Sequence, residues 1–412
     1  MNRKEYHMPR PVPDPSRPLS GITVVDLSWH LAGPYSTMIL ADLGARVIKV
    51  EPPGSRGGYD PGGIIRHMYH GEDLHYISVN RSKESLTLDL KQEEGRADFY
   101  RLTSAADVVF NNFRPGVTKR LGVDFDTLVR YNPTLIYGSV SSFGLTGPDA
   151  LKPGVDLVLQ AMSGGMSMTG HPGSSPVRAG IPIADLAGAM WAALAVLGAI
   201  IRRQNGWDKP QQFDTSLLDG QLALFPYFAA YALNAGFVAG PQGSGGHSPT
   251  YGAFKCADGT YLVIAVIDQK PWLRLCRALD RLDWVDDARF LSPASRIEHT
   301  PELTGLLAER FADLPRAQWL QRLADNEISS GPVNDLAEAL DEEQVRAREM
   351  VIQVPHLLGG QVELVASPIR MSDFQPEYRS PPTAGSDTEA LAKEFGLRSP
   401  QLTATTKETD TT

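Results

Sequence analysis

Gly21 to Gly54 reads GITVVDLSWHLAGPYSTMILADLGARVIKVEPPG. Gly21 to Leu27 is a short run rich in β-branched residues, which suits a buried strand. Ser28 to Pro34, SWHLAGP, is a loop. Tyr35 to Leu43 has helical spacing, and Gly44 supplies the left-handed residue that closes such a helix. Ala45 to Val50 forms a second strand, ended by Glu51-Pro52-Pro53-Gly54. Strand, helix and strand in this order make a right-handed βαβ unit and therefore a parallel sheet.

The same punctuation continues downstream. Tyr76–Val79 and Ser85–Leu90 read as strands, Glu93–Ala105 as a helix, Val108–Phe110 as a strand, and Asn111–Gly116 as a loop before a helix near Val117–Leu121. Leu135–Ser139 is a further strand, with Ser141–Gly147 as its exit loop. Repeated strand–loop–helix order predicts a Rossmann-like α/β sheet. The glycine fingerprint GxGxxG is absent, however, and Ala32-Gly33-Pro34 stands in its place, so a dinucleotide is not the expected ligand. Ligands of such sheets gather beyond the carboxyl ends of the strands. Arg81, Lys83, Lys91, Arg114, Lys119 and Arg120 fall at or near those loops, either as phosphate holders or as a solvated basic face.

A second organising stretch is Arg178–Gln204, RAGIPIADLAGAMWAALAVLGAIIRRQ. The uncharged run from Leu186 to Ile201 fits a buried helix and is too rich in Ala and Gly for a membrane span. Asp185 stands at its start and Arg202 and Arg203 at its end, each on the side the helix dipole favours. Taken alone, Asp185 reads as a helix N-cap. The small residues Ala184, Ala187, Gly188 and Ala189 leave room for another molecule beside it.

With 412 residues, two domains are the default. The expected division is a flexible arm at 1–18, a large domain at 19–235, a glycine-rich linker at 236–252, a small α+β domain at 253–350 and a return segment at 351–412 with a loose tail. A net charge of −9 argues against a nucleic-acid partner. Cys256 and Cys276 form no CxxC pair, so neither a disulfide framework nor a zinc site is expected. His67, His70 and His75 lack an accompanying acid or Cys cluster and read as solvated or ligand-edge residues, with no metal. The start lacks an apolar run, so a cytoplasmic enzyme is expected.

Several segments together carry a resemblance to a known family. They are Pro18–Pro34, Ala41–Gly54, Ser78–Lys91 (SVNRSKESLTLDLK), Asn111–Val117 (NNFRPGV), Asn132–Pro148 and Pro176–Ile200. In these the chain resembles the class III CoA-transferases, or CaiB–BaiF family, whose members include formyl-CoA:oxalate and succinyl-CoA:dicarboxylate CoA-transferases. The resemblance implies a Rossmann-like large domain with an inserted small α+β domain, and an interlocked homodimer. It turns Asp185 from a cap into the nucleophile of a covalent relay, with acyl-CoA and a small carboxylic acid as substrates and no permanent cofactor or metal. It assigns CoA contacts to Leu31 and Ala32, to Leu88 through Lys91, to Asn112, Phe113 and Arg114, to Arg120, and to Ser141, Ser142 and Phe143. Gly243, Gly245, Gly246 and His247 correspond to a flap over the acyl intermediates. First-turn N–H groups of the Asp185 helix are the expected oxyanion donors.

Two departures stand out. Leu31 lies where members often carry a polar residue, and Pro52 where an arginine can bind the adenine nucleotide. The family also contains 2-methylacyl-CoA racemases, which need a histidine just before the acid of a GxD element. Here that element is Gly154-Val155-Asp156, and valine takes no proton, so transfer is expected over racemisation. Asp156 reads as a cap with a supporting role. Succinyl-CoA with a dicarboxylate is the substrate pair suggested by the resemblance, with Arg178 and His247 available for a distal carboxylate.

Overall fold

The computed structural model describes residues 13–55, 67–246 and 248–399, which fall into two compact units. The first comprises 13–55, 67–163, 180–229 and 347–399 of these, and the second 164–179, 230–246 and 248–346. The grouping of 164–179 with the later residues is not visible in the sequence, where the large domain runs unbroken to 235.

The first unit is built on a six-stranded, wholly parallel sheet. Its elements in chain order are β1 (Thr23–Asp26), α1 (Ala32–Asp42), β2 (Arg46–Glu51), α2 (Leu74–Val79), β3 (Lys83–Thr87), α3 (Glu93–Ala105), β4 (Val108–Asn111), β5 (Ile136–Ser141), α4 (Asp156–Met162), α5 (Ile183–Gln204), β6 (Gln211–Ser216) and α6 (Leu217–Leu222). Across the sheet they run β3-β2-β1-β4-β5-β6. This is the doubly wound order in which the direction of winding reverses between β1 and β4.

Strand residues are buried on both faces, as a sheet covered by helices requires. Val24, Val108, Phe110, Ile136 and Val140 pack with α1 and α5 on one side. Val25, Ile48, Leu86, Val109 and Tyr137 pack with Phe99 and Leu102 of α3 on the other. Helix α5 is long and apolar enough to cross a membrane by composition, yet Ala184, Ala192, Ala193, Val196 and Ile200 lie in the first of these cores.

The structure departs from the sequence reading at 74–90. Tyr76–Val79 lies in helix α2 rather than a strand, because Asp73 caps that helix through the His75 N–H at 3.0 Å. Arg81 and Lys83 do not face solvent or a ligand. Arg81 is buried and donates to both carboxylate oxygens of Asp42, at 2.9 and 2.6 Å. The Lys83 side chain is fully buried against Asp26.

The second unit, described by itself, carries an antiparallel sheet of β7 (Tyr251–Lys255), β8 (Tyr261–Ala265) and β9 (Ser330–Pro332). The β7–β8 hairpin turns through Asp258-Gly259 as the sequence predicts, with Gly259 at φ +81°. Trp272, Trp284, Phe290, Phe311 and Trp319 fill its core.

Gly188 sets the approach of α5 to α6, since a Cβ there would lie 2.6 Å from Leu217 Cδ2. Gly188→Ala is expected to displace the buried Leu217 side chain and cost about 1–3 kcal/mol by overpacking. Thermal or urea unfolding of the purified variant checks this; an unchanged midpoint contradicts it.

Candidate active site

One cavity of about 780 Å³ opens in the first unit, at the carboxyl ends of β1, β4 and β5. Its volume suits a small-molecule ligand. The loop after β1 contributes Trp29, His30, Leu31 and Ala32, and the loop after β4 contributes Asn112, Phe113 and Arg114. Val140, Ser141 and Ser142 at the end of β5 extend the wall to Val155, Asp156, Pro182 and Asp185. The cavity thus starts where the winding reverses and runs over the strand ends toward α5.

Close backbone contacts shape the first wall. Asn112 clamps Trp29, accepting its N–H at 2.9 Å and donating to its carbonyl at 2.6 Å. Gly33 lies so near this clamp that a Cβ would stand 2.2 Å from Ser28 Cβ and 3.2 Å from Asn112 Cγ. That contact explains Ala-Gly-Pro where a dinucleotide protein has its own glycine pattern. On the other wall the Ser142 hydroxyl donates to the Gly154 carbonyl at 2.8 Å, tying the β5 exit to the GxD element. The Asp214 carboxylate of β6 accepts the Leu145 N–H at 3.0 Å and steadies the same exit loop.

Asp185 does not cap its helix. The N-cap is Pro182, without a side-chain bond, and Asp185 sits in the first turn of α5. The cap comes from across the cavity wall. Asp156 Oδ1 accepts the N–H groups of Ala184 at 2.8 Å and Asp185 at 3.3 Å, while Asp156 Oδ2 accepts from Gln160 at 2.6 Å. The supporting part expected of Asp156 is therefore that of a cap, served to α5 and not to its own helix. The first-turn N–H groups expected to stabilise an oxyanion are also engaged. Ala184 and Asp185 donate to Asp156, Ile183 to the Ile181 carbonyl, and Leu186 to the Pro182 carbonyl.

No hydrogen bond or ion pair among the described residues reaches the Asp185 carboxylate. Burial, and then the neighbouring Asp156 charge, push its pKa up to about 6. The positive end of the helix dipole acts in the opposite direction and does not prevent this rise. A half-buried carboxylate with unengaged oxygens can act as a nucleophile once ionised.

Of the site residues expected from the sequence, Leu31, Ala32, Asn112, Phe113, Arg114, Ser141, Ser142 and Asp185 line this one cavity. Leu88, Lys91, Arg120 and Phe143 do not. The Leu88 side chain belongs to the core on the α3 side of the sheet and Phe143 packs against the core on the α1 and α5 side, while Lys91 and Arg120 are exposed. Gly243, Gly245 and Gly246 belong to the second unit, where Gly243 N donates to the Gly170 carbonyl and Gly246 N to the Tyr251 carbonyl, each at 2.8 Å. His247 lies outside the described residues.

The cavity also contains residues the sequence did not single out as ligand contacts, among them Trp29, His30, Asp73 and Lys152. His75, which the sequence leaves as solvated or ligand-edge, lines the wall. His70 instead stacks on His356, with ring centroids 5.7 Å apart. Among the described residues, no three His, Cys, Asp or Glu side chains form a group able to hold a metal ion.

Comparison with known proteins adds a separate line. Residues 19–388 match the model of CoA-transferase family III. The chain is 33% identical to mouse succinyl-CoA:glutarate CoA-transferase, covering 92% of this chain and 87% of that protein. It is 35% identical to acetyl-CoA:oxalate CoA-transferase of Acetobacter aceti, covering 92% and 96%. The crystal structure of a CaiB/BaiF family protein from Brucella suis superposes with a TM-score of 0.82 at 33% identity, over 92% of this chain and 99% of that one.

The raised pKa of Asp185 has a stability consequence. Its folded value, about 6, exceeds the ordinary 3.8, so ionisation destabilises the fold progressively as pH rises through that interval. Asp185→Asn is expected to raise stability at pH 7.5, by at most about 3 kcal/mol, and to give little gain near pH 4. Unfolding curves at the two pH values check this; equal effects at both contradict it.

Proposed function

The chain belongs to CoA-transferase family III and is a CoA-transferase, and from that premise we propose that Asp185 carries CoA transfer as a covalent nucleophile. The Asp185 carboxylate attacks the thioester carbonyl of an acyl-CoA. The C–S bond breaks, CoA leaves as thiolate, and a mixed anhydride remains on Asp185. The thiolate then attacks the aspartyl carbonyl and releases the donor acid as its carboxylate, leaving an aspartyl-CoA thioester. The acceptor carboxylate attacks that thioester to give a second anhydride and CoA thiolate. Attack of the thiolate on the acceptor's carbonyl forms the new acyl-CoA and restores Asp185. Charge and atoms balance at each step, and dividing the exchange lowers each barrier.

The observation that carries this reading is the unengaged Asp185 carboxylate in the same cavity as the loops 29–32 and 112–114. Those loops would receive the CoA moiety, with Arg114 available to its anionic groups. The racemase alternative is not favoured, since Val155 holds the position where a second proton carrier is needed and the relatives reported above are named transferases. Relatives named for glutarate and oxalate favour a short dicarboxylate as the acceptor.

We also propose a homodimer, supported by the outward face of α5. Met190, Trp191, Leu194 and Ile201 are 40–55% exposed there, and Leu222 and Leu224 continue the apolar surface in and after α6. Exposed apolar side chains recurring along one helix in this way ordinarily mark an interface.

Asp185→Ala is expected to abolish CoA transfer while CoA still binds, because Asp156 retains its cap on α5. Hydroxylamine with an acyl-CoA should trap Asp185 as a hydroxamate in the wild type and not in the variant, read by peptide mass spectrometry. Turnover in the variant near the wild-type rate removes the mechanism.

Sedimentation of the wild type is expected to report a dimer, and Leu194→Glu to shift the population toward monomer. A monomeric wild type at micromolar concentration refutes the assembly.

A further inference from the structure

Beneath the first wall of the cavity lies a buried charge cluster that the proposed chemistry does not use. The Asp26 and Lys83 side chains are both fully buried and 3.1 Å apart. Lys83 Nζ spends its three donors on Asp26 Oδ2, on the Pro34 carbonyl at 2.9 Å and on Asn80 Oδ1 at 2.9 Å. Asp26 also accepts the Ser28 N–H at 2.8 Å, the Ser28 hydroxyl and the Thr37 hydroxyl at 2.6 Å. Lys49, likewise buried, donates to the Ser28 carbonyl at 2.6 Å.

These bonds grip both ends of one short loop. Ser28 is held through its N–H, hydroxyl and carbonyl, and Pro34 through its carbonyl. Between them Trp29 is clamped by Asn112, and His30 is held at φ +66°, a left-handed conformation that a non-glycine residue keeps only when its surroundings impose it. Trp29 to Ala32 form one wall of the cavity. Burying an ion pair costs desolvation energy that a well-packed apolar pair would not. What an apolar pair lacks is three donors directed at fixed acceptors.

We propose that the Asp26–Lys83 pair is a latch that shapes the acyl-CoA cradle, with Lys83 a positioning residue acting through the 28–34 loop. This rests on the reading of the cavity as a CoA site. The charged and titratable groups around Lys83 are Asp26 on β1, Asp42 on α1, and Lys49 and Glu51 on β2, besides its own neighbour Arg81. Burial lowers the Lys83 pKa to about 8, against the pull of Asp26, so Lys83 gives up its charge and one of its three donors within a reachable alkaline range.

The test titrates desulfo-CoA, which has no thiol to ionise, into the protein by calorimetry at pH 7.5, 8.5 and 9.5. The phosphates of the ligand are already ionised throughout this interval. Wild-type affinity is expected to fall about tenfold as Lys83 deprotonates, and Lys83→Met to bind about tenfold more weakly at pH 7.5 with no further pH dependence. The double variant Asp26→Leu/Lys83→Met, which replaces both charges with apolar groups, should fold and bind as weakly as the single variant. A folded Lys83→Met, or a folded double variant, that binds like wild type overturns the latch. Absence of binding to the wild type at every pH overturns instead the CoA reading on which the latch rests.

Discussion

Right-handed crossovers make the chain wind outward from β1 toward β2 and β3, and from β4 toward β5 and β6. The connections leaving β1 and β4 must therefore diverge, and no helix can fill the crevice between them. Everything in the candidate site follows from that opening. Trp29–Ala32 stand over β1, Asn112–Arg114 over β4, and Ser141 and Ser142 over β5, in the order of the strands beneath. An elongated ligand laid across strand ends would meet these segments in turn. The two walls are braced by different means: the first by buried charge and the Asn112 clamp, the second by the Ser142–Gly154 and Asp214–Leu145 hydrogen bonds.

The division of labour between the two aspartates depends on helix geometry. An acid at the N-cap satisfies backbone donors with its own oxygens and is thereby occupied. Asp185 lies beyond the cap position, and Asp156 from α4 supplies the missing acceptor. One carboxylate is spent on structure, and the other keeps its oxygens unengaged. Gly188, one turn further on, allows Leu217 to pack close enough to α5 for both residues to bound the same small region.

The fold was legible because it rests on local signals. The β-branched runs, the Gly44 closure and the hairpin at Asp258-Gly259 each declare themselves within a few residues. The candidate site was legible in part, since the loops after β1, β4 and β5 are where any such sheet presents ligands. What was hidden depends on contacts distant in sequence. Nothing local marks Lys83 as the partner of Asp26, so a basic residue in a polar stretch reads as surface. Likewise the acceptor for the α5 donors comes from residue 156, and a first-turn acid with no visible partner reads as its own cap. Residues 76–79 show the reverse failure: a β-branched and aromatic run reads as a strand until Asp73 is seen capping the helix that holds it.

In the proposed relay, the environment that makes Asp185 a costly anion also favours what it becomes. Burial and the Asp156 charge oppose the ionised carboxylate. Acylation converts it to an anhydride, and return of CoA converts that to a thioester; neither carries charge at the Asp185 side chain. Each covalent state therefore relieves both the desolvation and the repulsion that raise the pKa. A pKa unit corresponds to about 1.4 kcal/mol between charged and neutral forms. A rise to about 6 leaves the anion predominant at neutral pH while lifting its energy relative to the intermediates. A stronger shift would empty the nucleophilic form, and a fully solvated carboxylate would gain nothing on becoming acylated. The intermediate burial of Asp185, kept by a cap that it does not itself provide, lies between those two failures.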